Sequence, residues 1–302
     1  MSRKWISVQV PGSTSNLGAG FDSIGLAVDR YLELEVCESE DWHFEFKSPG
    51  LDGLPVDKRN LIYETAAFVA SEAGASLPGC RVEVKSELPL ARGLGSSAAT
   101  IVAGIELADR LLELGLTKNE KFQLACMREN HCDNLAASVY GGLVVTSKHN
   151  GENRSLTAGI PAIEMVVIVP DHELKTTEAR NILPKTMAFE TAVAGSGVAN
   201  MMVTAILQKN WDLAGELMTE DVFHQPYRAA LVPNLAVAIK EARKAGAYGA
   251  ALSGAGPTLI AFTPDGSGNR VATQLGKHFP DDNVMVVRPD SSGVTSQVKL
   301  PL

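Results

Sequence analysis

Hydrophobic and polar positions recur along the chain with two periods, and these periods separate predicted strands from predicted helices. Alternation of apolar and polar residues predicts strands over residues 5–10, 26–36, 42–46 and 80–86 in the first half. An apolar stripe at helical spacing over residues 60–73 predicts a helix between the last two strands.

A second helix is predicted after the segment PLARGLGSS, residues 89–97. Apolar residues recur at helical spacing from Ile101 to Leu112, so this helix should begin near Ser96 or Ser97, directly after a glycine loop. The first N–H groups of a helix have no partner within it, and the helix dipole is positive at that end. The junction is therefore a candidate anion site.

The second half mixes helices and strands. An Asn-Gly pair between strand-like residues 143–146 and 155–157 predicts a hairpin, and a buried strand follows over residues 162–169. Further helices are predicted at 176–182, 189–208, 211–219, 233–245 and 268–278, with strands at 248–253, 258–263 and 283–287. This order indicates an α+β protein with predicted domains 1–157 and 158–302.

Composition narrows the possible partners. The 302-residue chain has a formal net charge of −8, which argues against nucleic acid or an anionic membrane surface as a partner. An anionic ligand would have to be held by local cations, N–H groups or a metal ion.

The cysteines and the apolar runs indicate where in the cell the protein is located. The four cysteines form no C-x-x-C pair, which is typical of free thiols in a reducing compartment. The N-terminal stretch MSRKWISVQVPG lacks the apolar run of a signal peptide, and strand-like runs such as 165–169 fall short of the ~18 residues of a membrane span. We therefore expect a soluble, cytoplasmic protein without a membrane partner.

The glycine loop allows more than one interpretation. Gly93 and Gly95 would let a phosphate approach the backbone, and a serine hydroxyl could join a magnesium shell, but an ordinary serine-capped loop fits as well. The P-loop pattern is absent because no lysine follows Gly95. Gly93-x-Gly95-x-x-Ala98 loosely fits the dinucleotide fingerprint, yet Pro89 and Arg92 interrupt the strand that should precede it. A dinucleotide-dependent oxidoreductase is thus a remote alternative.

Three further stretches concentrate glycine or polar residues. VPGSTSNLGAGFDSIGLAV, residues 10–28, places Asn16 and Asp22 among glycines and predicts a tight irregular loop. ENHCDNLAASVYGG, residues 129–142, brings five ionisable or amide groups into six positions, and LSGAGPT, residues 252–258, predicts a glycine turn between two strands. Each stretch alone also fits a plain turn or a helix cap.

Together, these stretches resemble the motifs of the GHMP family of small-molecule kinases. Residues 10–22 resemble V-P-A-S-x-A-N-L-G-P-G-F-D, and residues 89–98 match P-x-x-x-G-L-G-S-S-A at every fixed position. Residues 252–258 match L-S-G-[SA]-G-P-T. Residues 129–134 read E-N-H-C-D-N where the family has E-G-H-P-D-N.

The resemblance implies a fold, an activity and a nucleotide site. The fold would be α+β, with an N-terminal part like ribosomal protein S5 domain 2, a ferredoxin-like C-terminal part, and ATP in the groove between them. The implied activity is ATP-dependent phosphoryl transfer with Mg²⁺, whose shell Ser97 and Glu129 would complete, while Asn60 would lie near the adenine. The implied phosphate-loop contacts are Pro89, Leu90, Ala91, Arg92, Gly93, Leu94, Gly95, Ser96, Ser97, Ala98 and Ala99.

Two more stretches resemble the branch of the family that phosphorylates L-homoserine to O-phospho-L-homoserine on the route to threonine. They are TTEARNILP, residues 176–184, and QPYRAALVP, residues 225–233. By this resemblance Arg180 and Arg228 would hold the substrate carboxylate, which suits a guanidinium fork, and Thr176 would be a further contact. Two surface arginines are the alternative interpretation.

The remaining roles also come from the resemblance. Asn16 and Asp22 would hold the hydroxyl end of the substrate and Asp133 its ammonium group, while Asn134 and His131 would lie beside the reacting phosphoryl group. Asp22 is a possible proton acceptor, and no dedicated general base is assigned. There are two alternatives. The chain could be another GHMP kinase with a different alcohol as substrate, or a non-catalytic sensor of a nucleotide or metabolite. A homodimer is possible.

Overall fold

The computed structural model describes residues 5–299. Residues 1–4 and 300–302 lie outside this range. The first four belong to the stretch that was expected to lack a signal peptide. Within it, the elements in chain order are β1 (Trp5–Asn16), β2 (Gly20–Glu38), β3 (His43–Phe46), α1 (Leu61–Glu72), β4 (Cys80–Ser86), α2 (Ser96–Leu112), α3 (Lys118–Arg128), α4 (Cys132–Tyr140), β5 (Leu143–His149), β6 (Glu152–Thr157), β7 (Glu164–Val169), α5 (Thr176–Asn181), α6 (Phe189–Leu207), α7 (Trp211–Leu217), α8 (Gln225–Arg228), α9 (Leu235–Ala245), β8 (Gly249–Leu252), β9 (Leu259–Thr263), α10 (Gly268–His278), β10 (Asn283–Val287) and β11 (Thr295–Lys299). The α+β prediction is confirmed.

The first sheet is built around the long strands β1 and β2. These pair antiparallel, with β11 on the outer side of β1 and both β4 and β5 on β2, while β3 runs parallel to β4. The β5–β6 hairpin turns at Asn150 and Gly151, as predicted. Helices α2 and α4 pack on this sheet, and α1 and α3 pack against them, around a core that includes Phe44, Ile105 and Phe122.

The second sheet has the order β10-β7-β9-β8, with antiparallel neighbours. All six residues of β7 are buried, because both faces of the sheet are covered. Val166 and Ile168 join the core under α9 and α10. Met165 and Val167 face the opposite core, which they share with Leu26 of β2. The two halves of the chain therefore meet in one continuous apolar layer.

The last described strand lies in the first sheet. Residues 295–299 return to the first sheet and pair with β1, although they follow the whole second sheet in sequence. The domain bounds 1–157 and 158–302 remain a prediction. Strand β11 falls within the predicted second domain in sequence, although it lies in the first sheet.

Most of the predicted elements are present, and the bounds of β4, α10 and β10 equal those predicted. The predicted irregular loop over residues 10–28 is wrong. There β1 continues to Asn16 and β2 begins at Gly20, so this segment is a strand hairpin with register shifts. Glycines permit the positive φ and the bulges that such a turn requires. Helices α3 and α8 and strand β11 were not predicted.

Helix α6 is the one helix in the described range that is long and apolar enough to cross a membrane. It packs on α7 and β2, and Met202 and Ile206 are buried there. Its outward side exposes Phe189, Val193 and Met201. Because part of α6 is packed inside the fold, its length and apolar composition are only weak evidence for a membrane span.

A tight contact between α1 and α2 generates a stability prediction. A Cβ at Gly104 would lie 2.7 Å from the Ile62 carbonyl oxygen, whereas a Cβ at Gly276 of α10 would meet nothing within 4 Å. Gly104→Ala should therefore destabilise the protein by at least about 1 kcal/mol, because the backbone of α1 must shift.

Gly276→Ala is the matched control in a helix with open space, and it should stabilise the protein by about 0.5–1 kcal/mol. Urea denaturation of both variants measures the difference. Equal effects of the two substitutions would contradict the tight crossing of α1 and α2.

Candidate active site

The glycine loop leads directly into α2, as predicted. Helix α2 begins at Ser96, and Gly95 is its N-cap with φ +69° and no side-chain cap. The helix start therefore leaves backbone N–H groups for a ligand.

Two loop glycines are required for packing inside the protein. A Cβ at Gly95 would lie 2.1 Å from Ser13 Oγ on β1, and a Cβ at Gly93 would lie 2.4 Å from the Ser253 carbonyl oxygen. Both residues also have positive φ. Substitution of either glycine would thus disturb the junction of β1 with residues 252–258 as well as any phosphate site.

A cavity of about 540 Å³ opens beside this loop. Part of its apolar lining comes from the end of β3 and the following connection, namely Phe46, Leu51, Leu54 and Pro55. Its polar lining includes these predicted site residues: Asn16, Asp22, Asn60, Arg92, Gly93, Gly95, Ser96, Ser97, Glu129, His131, Asp133, Asn134, Thr176, Arg180 and Arg228. Leu90, Ala91 and Ala98 also line it. The structure thus gathers residues from distant segments around one space.

Three predicted loop contacts do not line the cavity, namely Pro89, Leu94 and Ala99. Leu94 and Ala99 are buried in the two adjoining cores, so their side chains are structural. Arg92 lines the cavity, but its guanidinium donates to the Pro170, Leu90 and Asp171 carbonyl oxygens. Arg92 therefore ties the loop to the end of β7.

Asn60 caps α1 and shapes the apolar part of the cavity. Its Oδ1 accepts from the Ile62 N–H at 2.9 Å, and its Nδ2 donates to the Pro55 carbonyl oxygen at 2.9 Å. These bonds hold Pro55 in the cavity wall. Contact of Asn60 with an adenine remains a prediction.

Ser97 and Glu129 meet at the start of α2. The Ser97 hydroxyl donates to Glu129 Oε2 at 2.8 Å, and the other carboxylate oxygen pairs with His131 Nδ1. Burial alone would raise the pKa of Glu129, but the bonds from His131 and Ser97 and the charge of Arg180 lower it. The same bond to Glu129 raises the pKa of His131. The carboxylate is therefore ionised.

This oxygen pair fits Mg²⁺. The ion prefers one or two protein oxygen ligands, with water and phosphate oxygens completing its shell. Among residues 5–299 no group of three or more His, Cys, Asp or Glu side chains could hold a metal ion. A magnesium ion at Ser97 and Glu129 would therefore depend on the phosphates of a nucleotide.

Asn134 links α4 to β1. Its Oδ1 accepts from the Ser13 hydroxyl at 2.9 Å, and its Nδ2 donates to Ser15 Oγ at 2.8 Å. Asn16 makes a second link, because its Oδ1 accepts from the Asp22 N–H and its Nδ2 donates to the Gly254 carbonyl oxygen at 2.8 Å. Both amides therefore hold the site together. The substrate contact of Asn16 and the place of Asn134 beside the reacting phosphoryl group remain predictions.

Asp133 is a buried carboxylate at the first turn of α4. Its Oδ1 accepts from the Asn134 N–H at 2.8 Å. Burial, followed by the nearby charge of Asp22, raises the pKa of Asp133 to about 6. No salt bridge joins it to a cation within the described part of the chain. A ligand cation would supply the missing charge.

The two predicted arginines converge on Phe21. The guanidinium carbons of Arg180 and Arg228 lie 5.5 and 5.3 Å from its ring centroid. Arg180 donates to both carboxylate oxygens of Asp22, at 2.6 and 2.9 Å, and its Nε donates to His131 Nε2. Burial, followed by the charge of Arg180, lowers the pKa of Arg228 to about 10.

Arg228 is only 1% exposed, so the alternative that it is a surface arginine is wrong. Arg180 keeps about a third of its side chain exposed, at the edge of the same cavity. Two cations from separate segments therefore face one space, which is what a carboxylate clamp requires. Binding of a carboxylate there remains a prediction.

Several site residues were missed from the sequence. Ser13 and Ser15 hold Asn134, and His224 contacts both Arg228 and the turn at Gly18. The motif matches at residues 10–22 and 252–258 could have indicated that Ser13, Ser15 and Gly254 belong to the site. The apolar lining from the β3–α1 connection carried no signal, because isolated leucines in a connection resemble ordinary core residues.

The buried charge of Asp133 generates a prediction of pH-dependent stability. The folded protein holds the Asp133 proton more tightly than the unfolded chain, whose carboxyl has a pKa near 3.8. The ionised group therefore reduces folding stability above pH about 6, and this cost disappears as the pH falls towards 4. Asp133→Asn should raise the free energy of unfolding at pH 8 by about 1–3 kcal/mol.

Urea denaturation of Asp133→Asn and wild type from pH 4 to pH 8 measures this gain, which should shrink to nothing at the acid end. Asp265→Asn, at an exposed carboxylate, is the control and should follow the wild type. A less stable Asp133→Asn at pH 8 would show that the ionised carboxylate is stabilised in the fold.

Comparison with known proteins agrees with these features. Residues 60–142 match the GHMP kinases N terminal domain, and residues 202–281 match the GHMP kinases C terminal domain. The homoserine kinase of Halalkalibacterium halodurans is 48% identical over 302 residues, or 98% of either chain. That of Lactococcus lactis subsp. lactis is 41% identical, covering 97% of this chain and 99% of its own.

Solved structures give the same result. A putative homoserine kinase from Listeria monocytogenes is similar with a TM-score of 0.84 at 38% identity, covering 97% of this chain and 99% of its own. A mevalonate kinase structure has a TM-score of 0.74 at 17% identity and shares the fold. The motifs, the fold and these relatives agree, and the chain belongs to the homoserine kinase family of the GHMP kinases.

Proposed function

We propose that the chain catalyses the ATP-dependent phosphorylation of L-homoserine to O-phospho-L-homoserine in threonine biosynthesis. The observation that carries this proposal is the set of charges around one cavity. Arg180 and Arg228 offer two cations, and the buried Asp133 offers an anion, beside the glycine loop at the start of α2. This pattern complements the carboxylate and ammonium groups of an amino acid.

Each charged group has a matching partner in homoserine. Arg180 and Arg228 would bind the carboxylate, and Asp133 would bind the ammonium group, which would offset the cost of its burial. Asp22 would accept from the substrate hydroxyl once the carboxylate takes its place on Arg180. Thr176, in the same short helix as Arg180, would add a polar contact at the cavity edge.

The nucleotide would occupy the remainder of the cavity. Its base would contact the apolar lining near Asn60, and its phosphates would meet the N–H groups at the start of α2. Ser97 and Glu129 would hold Mg²⁺, which neutralises charge on the phosphates when bound. Phosphoryl transfer through a loose transition state depends mainly on alignment and charge neutralisation, which such a site supplies.

Asn134 suits orientation rather than proton transfer. An amide does not accept a proton usefully, and both polar atoms of this side chain are bonded to serines of β1. His131 is held by Glu129 on one ring nitrogen and faces Arg180 on the other. We therefore assign Asn134 and His131 to positioning beside the phosphoryl group, and assign no general base.

The same proposal covers location and assembly. The described cysteines are all buried and free, which supports a reducing, cytoplasmic location. A homodimer remains a prediction, and the exposed apolar side chains of α6 are a surface that a second copy could cover. The paired Ser97 and Glu129 favour a kinase over a non-catalytic sensor of the same fold.

The activity itself is tested by coupled ADP release with homoserine, mevalonate, shikimate, galactose and buffer alone. Release should require homoserine and Mg²⁺ together. A higher kcat/KM with another of these alcohols would overturn the substrate, and ATP binding without any turnover would favour a sensor.

The carboxylate clamp is tested at Arg180, which is the less buried of the two arginines. Arg180→Leu should lower kcat/KM for homoserine by roughly 10- to 150-fold, because a charged hydrogen bond contributes about 1.5–3 kcal/mol. ATP affinity should stay within about two-fold, since Arg180 lies outside the phosphate loop.

Two controls accompany this variant. Arg154→Leu removes an exposed arginine that is also paired with a carboxylate, and it should leave the kinetics unchanged. A homoserine analogue with its carboxylate reduced to an alcohol should be a poor substrate and nearly insensitive to Arg180→Leu. Equal losses for homoserine and the analogue would remove the carboxylate assignment.

A further inference from the structure

A buried histidine lies behind the arginine cluster. His224 is fully buried at the start of α8, and its ring stacks on Phe21 with centroids 5.1 Å apart. Phe21 is also the ring that Arg180 and Arg228 approach. His224 therefore touches the support of both arginines without lining the cavity itself.

The two ring nitrogens of His224 have different partners. Nε2 lies 2.9 Å from the Gly18 carbonyl oxygen, and Nδ1 lies 3.2 Å from Arg228 Nη1. A carbonyl oxygen only accepts and a guanidinium only donates, so Nε2 carries the proton and Nδ1 accepts. Burial lowers the pKa of His224 to about 4, which agrees with a neutral ring.

Two of the three nitrogens of the Arg228 guanidinium are bonded within the protein. Its Nε donates to the Ala179 carbonyl oxygen at 3.1 Å, and its Nη1 donates to the Gly254 carbonyl oxygen at 3.1 Å and to His224. Within residues 5–299, Nη2 makes no such bond, and Arg228 lines the cavity. The arrangement leaves Nη2, a nitrogen with two N–H donors, for a ligand.

His224 is itself held firmly. Asp221 accepts from the backbone N–H groups of Phe223, His224 and Gln225, at 2.8, 3.0 and 2.6 Å. Within residues 5–299, His224 is the one side chain that hydrogen-bonds the Arg228 guanidinium, and its backbone is held by these bonds at the start of α8. Its other contact, at Gly18, belongs to the turn that presents Phe21 and Asp22.

We propose that His224 is a positioning residue for substrate binding: its neutral imidazole orients Arg228 so that Nη2 meets the substrate carboxylate. The proposal rests on the proposed homoserine kinase activity. It assigns His224 no contact with substrate or nucleotide, and it predicts an effect that depends on the substrate carboxylate.

Two variants separate the two bonds of His224. Asn Oδ1 lies near the position of Nδ1, so His224→Asn keeps an acceptor for Arg228 and loses the bond to Gly18. Gln Nε2 lies near the position of the ring Nε2, so His224→Gln keeps the donor to Gly18 and loses the acceptor. His224→Gln should raise KM for homoserine by about 10-fold or more, and His224→Asn by about three-fold at most.

For both variants, kcat and KM for ATP should stay within about three-fold of the wild type. The analogue that lacks the carboxylate should be turned over by both variants as by the wild type. A purely structural role would lower turnover of homoserine and the analogue alike. That result, or equal KM values for homoserine in the two variants, would overturn the proposal.

A measurement on the wild type does not depend on how the variants fold. Nitrogen NMR of ¹⁵N-histidine-labelled protein at neutral pH should show His224 as the neutral ring with its proton on Nε2. An imidazolium, or a proton on Nδ1, would contradict the contact with Arg228. Absence of homoserine turnover by the wild type would instead overturn the proposed function, so the two failures are distinguishable.

Discussion

The site depends on the close approach of the glycine loop to two other segments. The Ser13 N–H donates to the Leu94 carbonyl oxygen, and the Ser253 hydroxyl donates to the Gly93 carbonyl oxygen. Side chains at Gly93 or Gly95 would overlap these same neighbours. Because the start of α2 follows this loop, its N–H groups point into the cavity only while the three segments remain packed.

This constraint explains how an acidic protein can present a site for anions. The net charge of −8 gives no overall attraction for phosphate or carboxylate. Positive potential is instead concentrated at the start of α2 and at the two arginines beside Phe21. Asp133 adds one buried negative charge on the same cavity, so the site separates the two signs over a short distance.

The amides and serines of the site are used mainly to hold that arrangement. Asn16 joins the β1–β2 turn to Gly254, and Asn134 joins α4 to Ser13 and Ser15. Asn16 therefore also connects the two halves of the chain, and Asn134 connects two elements of the first half. Loss of activity in their variants would not by itself distinguish contact from support, whereas a carboxylate-dependent effect at Arg180 or His224 would.

The sequence by itself determined the main strands and helices, the start of α2 after its glycine loop, and the motifs that indicate the family. Periodicity and glycine placement are local properties, so they can be recognised without the fold. Only the tertiary structure decided that β11 returns to β1, that Arg228 is buried on His224, and that Gly95 faces Ser13. These features depend on contacts between residues that are far apart in the chain. Tertiary packing decides which residues meet, and the residues next to them in sequence do not.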